Sequence, residues 1–244
     1  MSASLAPGGT SVSALTVYDT VAPDGHAGGS PHLHTVSTEA YLVTAGAGEL
    51  HTISAEGFRS TPLVPGSTVW FSPGTIHRAV NSGGLEVRVV MSHAGLPEAG
   101  DAVLTFPDDV LADPERYTAA ATLPGRDAAP ADRLAAALRR RDLAVEGYRQ
   151  LLVDSSDGLR VDQDALARLR ERAATLVRPR IEQWRELSAA TIDRVARETA
   201  ARLSALARGE AAVLGDAHVT VADAEHDYGM CGLLMRETTP GGQR

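Results

Sequence analysis

The feature that most constrains this chain is a change of period. Short β-type runs, among them Ala14–Tyr18, Glu39–Thr44, Glu49–Ile53, Thr68–Phe71 and Leu85–Met91, are separated by Gly, Pro, Asn and Ser as far as Phe106. After Pro107 apolar residues recur instead at helical spacing, first through Leu134, Leu138, Val145, Tyr148 and Leu152, then from Leu166 to Leu206. A strand alternates faces every residue and a helix every 3.6, so neither half can adopt the other's structure without exposing its apolar side. The spacing therefore predicts an antiparallel β-barrel or sandwich over 13–106 and a helical region over 107–210. Pro179 lacks an amide hydrogen and clashes with the preceding turn, so the second helical series is expected to break near Arg178 and Pro179. Residues 1–12 and 237–244 read as flexible tails, and 211–236 as a segment that can return to the barrel through strands at His218–Val221 and Met230–Met235.

Composition removes several classes of chemistry. None of the 23 basic residues is Lys, which excludes Schiff-base catalysis and a P-loop. The single Cys231 can form neither an internal disulfide nor a cysteine-based cluster, so a metal must rely on imidazole and carboxylate. A formal charge of −8 argues against nucleic acid as a partner. Arg139, Arg140 and Arg141 point in three directions on a helix and read as a solvated face. No apolar run approaches the roughly 18 residues of a membrane span, and a soluble, cytoplasmic protein is expected.

The informative segment is Pro31-His32-Leu33-His34-Thr35-Val36-Ser37-Thr38-Glu39. In a strand His32 and His34 share a face. Were Thr35–Thr38 a short hairpin loop, Glu39 would open a partner strand opposite His34, and three ligands would converge. Further on, the turn Ser72-Pro73-Gly74 leads into a strand that can aim His77 inward. By parity Tyr41 and Val43 share the face of Glu39, and Tyr41 and Trp70 are the pocket candidates; alternation in Val87, Val89 and Met91 puts Arg88 outside. Asn81 reads as a turn or strand-end hydrogen-bonding residue, and His51, His93, His218 and His226 lack ligand spacing.

The run His32-x-His34-x4-Glu39-x6-Gly46 resembles the first motif of the cupin superfamily, and Gly66-x7-Gly74-x2-His77-x3-Asn81 resembles the second. Ser72 stands where the family usually has Pro, with Pro73 displaced by one, and Gly25 stands one residue before the family's upstream glycine position. The resemblance implies a jelly-roll barrel with one divalent transition metal on His32, His34, Glu39 and His77. Three imidazoles and a carboxylate suit Fe, Mn, Ni, Co or Zn and are too rich in nitrogen for Mg or Ca. A six-coordinate ion would keep two positions open to ligands. The implied function is a metal-dependent enzyme acting on a small polar metabolite, of dioxygenase, isomerase, epimerase or lyase type, with non-haem iron oxidoreductases among the possibilities. The alternative is a non-catalytic small-molecule binding or sensing barrel whose helices form an interaction or dimerisation element. Homodimerisation is expected in either case, since an open sandwich leaves edge strands that need cover.

Overall fold

The computed structural model describes residues 6–156 and 158–238. Seven strands come first: β1 (Ser11–Val17), β2 (His32–His34), β3 (Glu39–Ser54), β4 (Gly57–Leu63), β5 (Thr68–Phe71), β6 (Ile76–Met91) and β7 (Ala102–Leu104). They are followed by helices α1 (Asp108–Leu111), α2 (Pro114–Ala121) and α3 (Pro130–Arg149), a hairpin of β8 (Leu152–Ser155) and β9 (Gly158–Val161), then α4 (Gln163–Val177), α5 (Ile181–Ala190) and α6 (Ile192–Ala207). The last elements are β10 (Asp223–Tyr228) and β11 (Gly232–Thr238). The fold is an antiparallel jelly-roll barrel followed by helices: the periodicity predicts the barrel or sandwich and the helices, and the resemblance implies the jelly roll. No described helix is long and apolar enough to cross a membrane.

β3 and β6 are the two long strands, and their pairing is the spine of the barrel. Their register shifts between Val43 and Gly48, where Gly46 adopts φ 72°. A Cβ there would stand 2.0 Å from the carbonyl oxygen of Gly84, so only glycine lets the two strands approach at this bend. Alternation then sorts the side chains. Tyr41, Val43, Leu50, Val87, Val89 and Met91 are buried in one cluster inside the barrel, while Arg88 is exposed.

A second apolar cluster joins the outside of the sheet to the helices. Leu33, Ile53, Ile76, Val103 and Leu104 meet Ala144, Tyr148, Leu166, Leu169 and Trp184 there, and each fully buried aliphatic side chain contributes roughly 1.5–3 kcal/mol. Polar contacts fix the docking of α3 and α2: Thr105 Oγ1 donates to the carbonyl of Ala144 on α3 at 2.9 Å, and Tyr117 Oη on α2 accepts from the amide of Leu104. α3 approaches so closely that a Cβ on Gly147 would lie 2.2 Å from Thr105 O.

Several expectations are corrected. Residues 152–161 form a hairpin within the region read as helical, because Ser155-Ser156-Asp157-Gly158 is a turn signal and Val153 and Val161 favour strand. The break expected near Arg178 and Pro179 is present, as a 3-10 turn at Arg178–Arg180. Of the two tails, residues 1–5 and 239–244 lie outside the described residues, but Ser11 and Val12 already belong to β1, and Glu237 and Thr238 to β11. The returning strands are 223–228 and 232–238, and 218–221 is not a strand. β11 pairs with β1 in the barrel sheet. Arg140 and Arg141 are buried and only Arg139 faces solvent, because α3 lies between the barrel and the C-terminal hairpin; Arg141 donates to the carbonyls of Thr20 and Val21.

Candidate metal centre

Three strands bring the cluster together: β2 and β3, which do not pair with each other, and β6, which pairs with both. β2 presents His32 and His34 to the barrel interior with Leu33 on the opposite face, in the outer cluster. His32 is the register partner of His77 on β6. Glu39 opens β3, between Phe71 of β5 and Met91 of β6. The expected hairpin between His34 and Glu39 is therefore absent. Residues 35–38 instead cross between strands and are held by polar groups from elsewhere: Asp101 accepts from the amides of Thr35, Val36 and Ser37 at 2.7–3.0 Å, and Ser92 Oγ accepts from the amide of Thr38. Barrel closure makes the four side chains converge.

All four are buried, and one donor atom from each lies within 4.8 Å of every other. Nε2 of His34 and Nε2 of His77 each stand 3.1 Å from Oε2 of Glu39. Neither Glu39 Oε2 nor His77 Nε2 has a hydrogen-bond partner, although burying such atoms unpaired costs on the order of 1–3 kcal/mol each. Two donors about 2.1 Å from one ion and at right angles around it stand about 3.0 Å apart. The distances are thus those of neighbouring ligands. The opposite ring nitrogens of two imidazoles have backbone partners, His32 Nδ1 at 2.9 Å from Ser30 O and His77 Nδ1 at 3.2 Å from Thr75 O. Protons held there would leave the Nε2 lone pairs facing the cluster.

Charge is arranged to match. Burial favours the neutral form of Glu39, but the imidazoles of His77 and His34 outweigh it and hold the carboxyl well below its usual range. Burial, followed by the charges of His77 and His34, lowers the pKa of His32. Burial also acts against charge on His34, yet Asp101 and Glu39 bring its pKa up to about 9. Asp101 is the residue that the sequence reading missed. It is fully buried, its Oδ2 lies 3.3 Å from His34 Nδ1, and it carries no motif spacing that could have revealed it.

The cluster opens onto a cavity of about 230 Å³ lined also by Tyr41, Leu15, Met91 and Cys231. Tyr41 is a fully buried pocket residue whose hydroxyl shares a 3.8 Å hydrogen bond with Cys231 Sγ. Burial and the negative charge of Glu39 push the Cys231 thiol up to about 12, so it is an unreactive wall of the cavity. Trp70 is not a pocket residue. It pairs with Ala40 on the outward face and is 73% exposed. Its neighbour Phe71 has the inward parity, with its ring centroid 4.2 Å from that of His77. Asn81 bonds the backbone as expected, donating to Val17 O and accepting from the amides of Gly83 and Leu85. His51 lies beside Glu49 instead of the cluster.

A jelly-roll barrel with three histidines and one glutamate buried in its interior is the architecture in hand, and this set of donors fits a metal site. Residues 17–93, which contain all four side chains, match the family described as Cupin domain, and this part of the chain is a cupin domain. No curated protein matches the chain. Among solved structures it is similar to a Klebsiella pneumoniae protein with a double-stranded β-helix domain, at 22% identity over 37% of this chain and 70% of that one, with a TM-score of 0.28. It is similar to oxalate oxidase in complex with the substrate analogue glycolate at 20% identity over 35% of this chain, with a TM-score of 0.25. The match spans 51% of the oxalate oxidase chain, about half its length. KdgF from Halomonas sp. is 21% identical over 36% of this chain and 82% of that one, with a TM-score of 0.25.

Proposed function

We propose that this protein is a metal-dependent enzyme that transforms a small polar metabolite inside the barrel, with one divalent transition metal held by His32, His34, Glu39 and His77. The observation that carries the reading is the pair of 3.1 Å approaches to Glu39 Oε2 among buried donors without hydrogen-bond partners. Fe, Mn, Ni, Co and Zn all accept such a set. A bound ion would supply Lewis acidity at the substrate's donor atoms and, for iron or manganese, access to redox chemistry. The protein's own residues do the rest. Leu15, Val89 and Met91 exclude water from the cavity wall, and Asp101 fixes the loop that carries His34. The cavity lies below the roughly 300–1,000 Å³ typical of drug-sized ligands, which favours a small substrate.

Incubating the purified protein with a pool of small polar metabolites, before and after chelation, tests this. The expected result is loss of at least one compound only in the metal-loaded sample, followed by mass spectrometry. Retention of metal with no turnover would replace the enzyme by a binding protein, and turnover indifferent to chelation would overturn the role of the metal.

A homodimer belongs to the same proposal. α6 is amphipathic and buries no residue, with Leu203 and Leu206 on its exposed apolar side. Sedimentation should give twice 25.6 kDa at micromolar concentration, and a monomer alone would reject it.

A further inference from the structure

We infer that the cavity carries an anion subsite built by Arg140 and Arg236, so that its ligand is a small organic carboxylate held at one end by guanidinium groups and at the other by the histidine cluster. This rests on the proposed metal centre only for the second end.

Both arginines line the same cavity as His32, His34 and Glu39, yet both lie outside the cupin segment, one on α3 and the other on β11. Arg140 is 9% exposed. Its Nη1 donates to Ala121 O and its Nη2 to Gly229 O at 2.8 Å, while its buried Nε has no partner. Among the described residues no carboxylate lies within ion-pair distance of it. Burial acts against its charge, and a buried cation without a counter-ion costs several kcal/mol.

Arg236 has the same defect. Its Nη2 reaches Asp227 Oδ2 at 2.8 Å, but its buried Nε is unpartnered. Asp227 does not neutralise this region, because its carboxylate also receives Arg133 at 2.7 Å and Arg126 at 3.3 Å. Glu98 and Glu237 also line the cavity, and Glu237 faces the exposed Arg88 at 4.0 Å. Of the two cavity arginines, Arg140 is the one with no carboxylate at ion-pair distance among the described residues. A carboxylate in the cavity supplies the missing charge beside Arg140 and acceptor oxygens for guanidinium N–H groups. The apolar wall of Leu15, Val89 and Met91 fits a short hydrocarbon body between the two ends.

Malonate, with malonamide as its uncharged counterpart, is a suitable probe for calorimetric titration of the protein as purified and after chelation. Malonate is expected to bind in both states and malonamide at least tenfold more weakly. Arg140→Met is expected to weaken malonate at least tenfold, while Arg139→Met, on the exposed neighbour, leaves it unchanged. Equal affinity for the two probes, or no binding of either, would overturn the subsite on the wild-type chain alone, even if Arg140→Met fails to fold. Binding that needs metal and ignores Arg140→Met would assign the anion to the metal and also overturn it. Arg140-dependent binding in protein that holds no metal would sustain the subsite while the proposed centre fails.

Discussion

Asp101 grips both sides of the loop that begins at His34: Oδ1 accepts from the amides of Thr35 and Val36, and Oδ2 accepts from that of Ser37 and lies 3.3 Å from His34 Nδ1. Outer carboxylates of this kind orient a ligating imidazole and raise its basicity. Asp101→Asn keeps the shape but loses the charge and one acceptor. It is expected to lower metal affinity about 10- to 100-fold, measured by competition with a chromogenic chelator.

The adjacent pair Trp70 and Phe71 tests the parity of β5. Trp70→Ala, on the outward face, is expected to change stability by no more than about 0.5 kcal/mol. Phe71→Ala should cost about 3–5 kcal/mol, since it empties a buried site beside Tyr41 and His77. Urea unfolding of the two variants checks both values.

The barrel and the helical continuation follow from periods of two and 3.6, and inward Tyr41 from parity. The four clustered side chains are legible only through motif spacing that resembles a known family, since the hairpin expected to join His34 to Glu39 is absent. Trp70 misses the pocket by one residue, because strand alternation turns it outward and places Phe71 inside. Asp101, Arg140 and Arg236 were not legible for a different reason. Asp101 and Arg140 act through contacts with distant chain, such as Thr35 and Gly229, and Arg236 reaches the cavity only because β11 returns to β1. The buried arginines on α3 show the same limit, since an Arg run reads as solvated until the surface that covers it is known.

Arg78 is fully buried and pairs with Asp24, while also donating to Gly29 O and His26 O. Asp24→Ala would leave that guanidinium uncompensated and is expected to cost about 3–5 kcal/mol. Burial alone would raise the pKa of Asp24, but the hydrogen bond and charge of Arg78 outweigh it and the pKa is lowered. A lowered folded value means that the unfolded chain binds the proton more readily. The pair's contribution is complete above the unfolded value of about 3.9 and is lost as pH falls through the folded one. Acid unfolding of wild type and Asp24→Asn should therefore differ in stability at neutral pH, with the difference shrinking as pH falls below the unfolded value of about 3.9.

Gly147→Ala should destabilise the protein although alanine favours helix by about 1 kcal/mol. The added Cβ meets Thr105 O at 2.2 Å and the backbone of Phe106 and Pro107, so a net cost of about 1–3 kcal/mol is expected in thermal unfolding.

Metal content per chain, determined by elemental analysis after purification and dialysis, tests the central claim most directly. Wild type and His51→Ala should carry close to one equivalent of a divalent transition metal, because His51 lies beside Glu49 outside the cluster. His32→Ala, His34→Ala and His77→Ala should each lose most of it, and Glu39→Gln, which keeps an oxygen donor without the charge, should retain a part. Equal metal content in wild type, His32→Ala and His77→Ala would contradict the account.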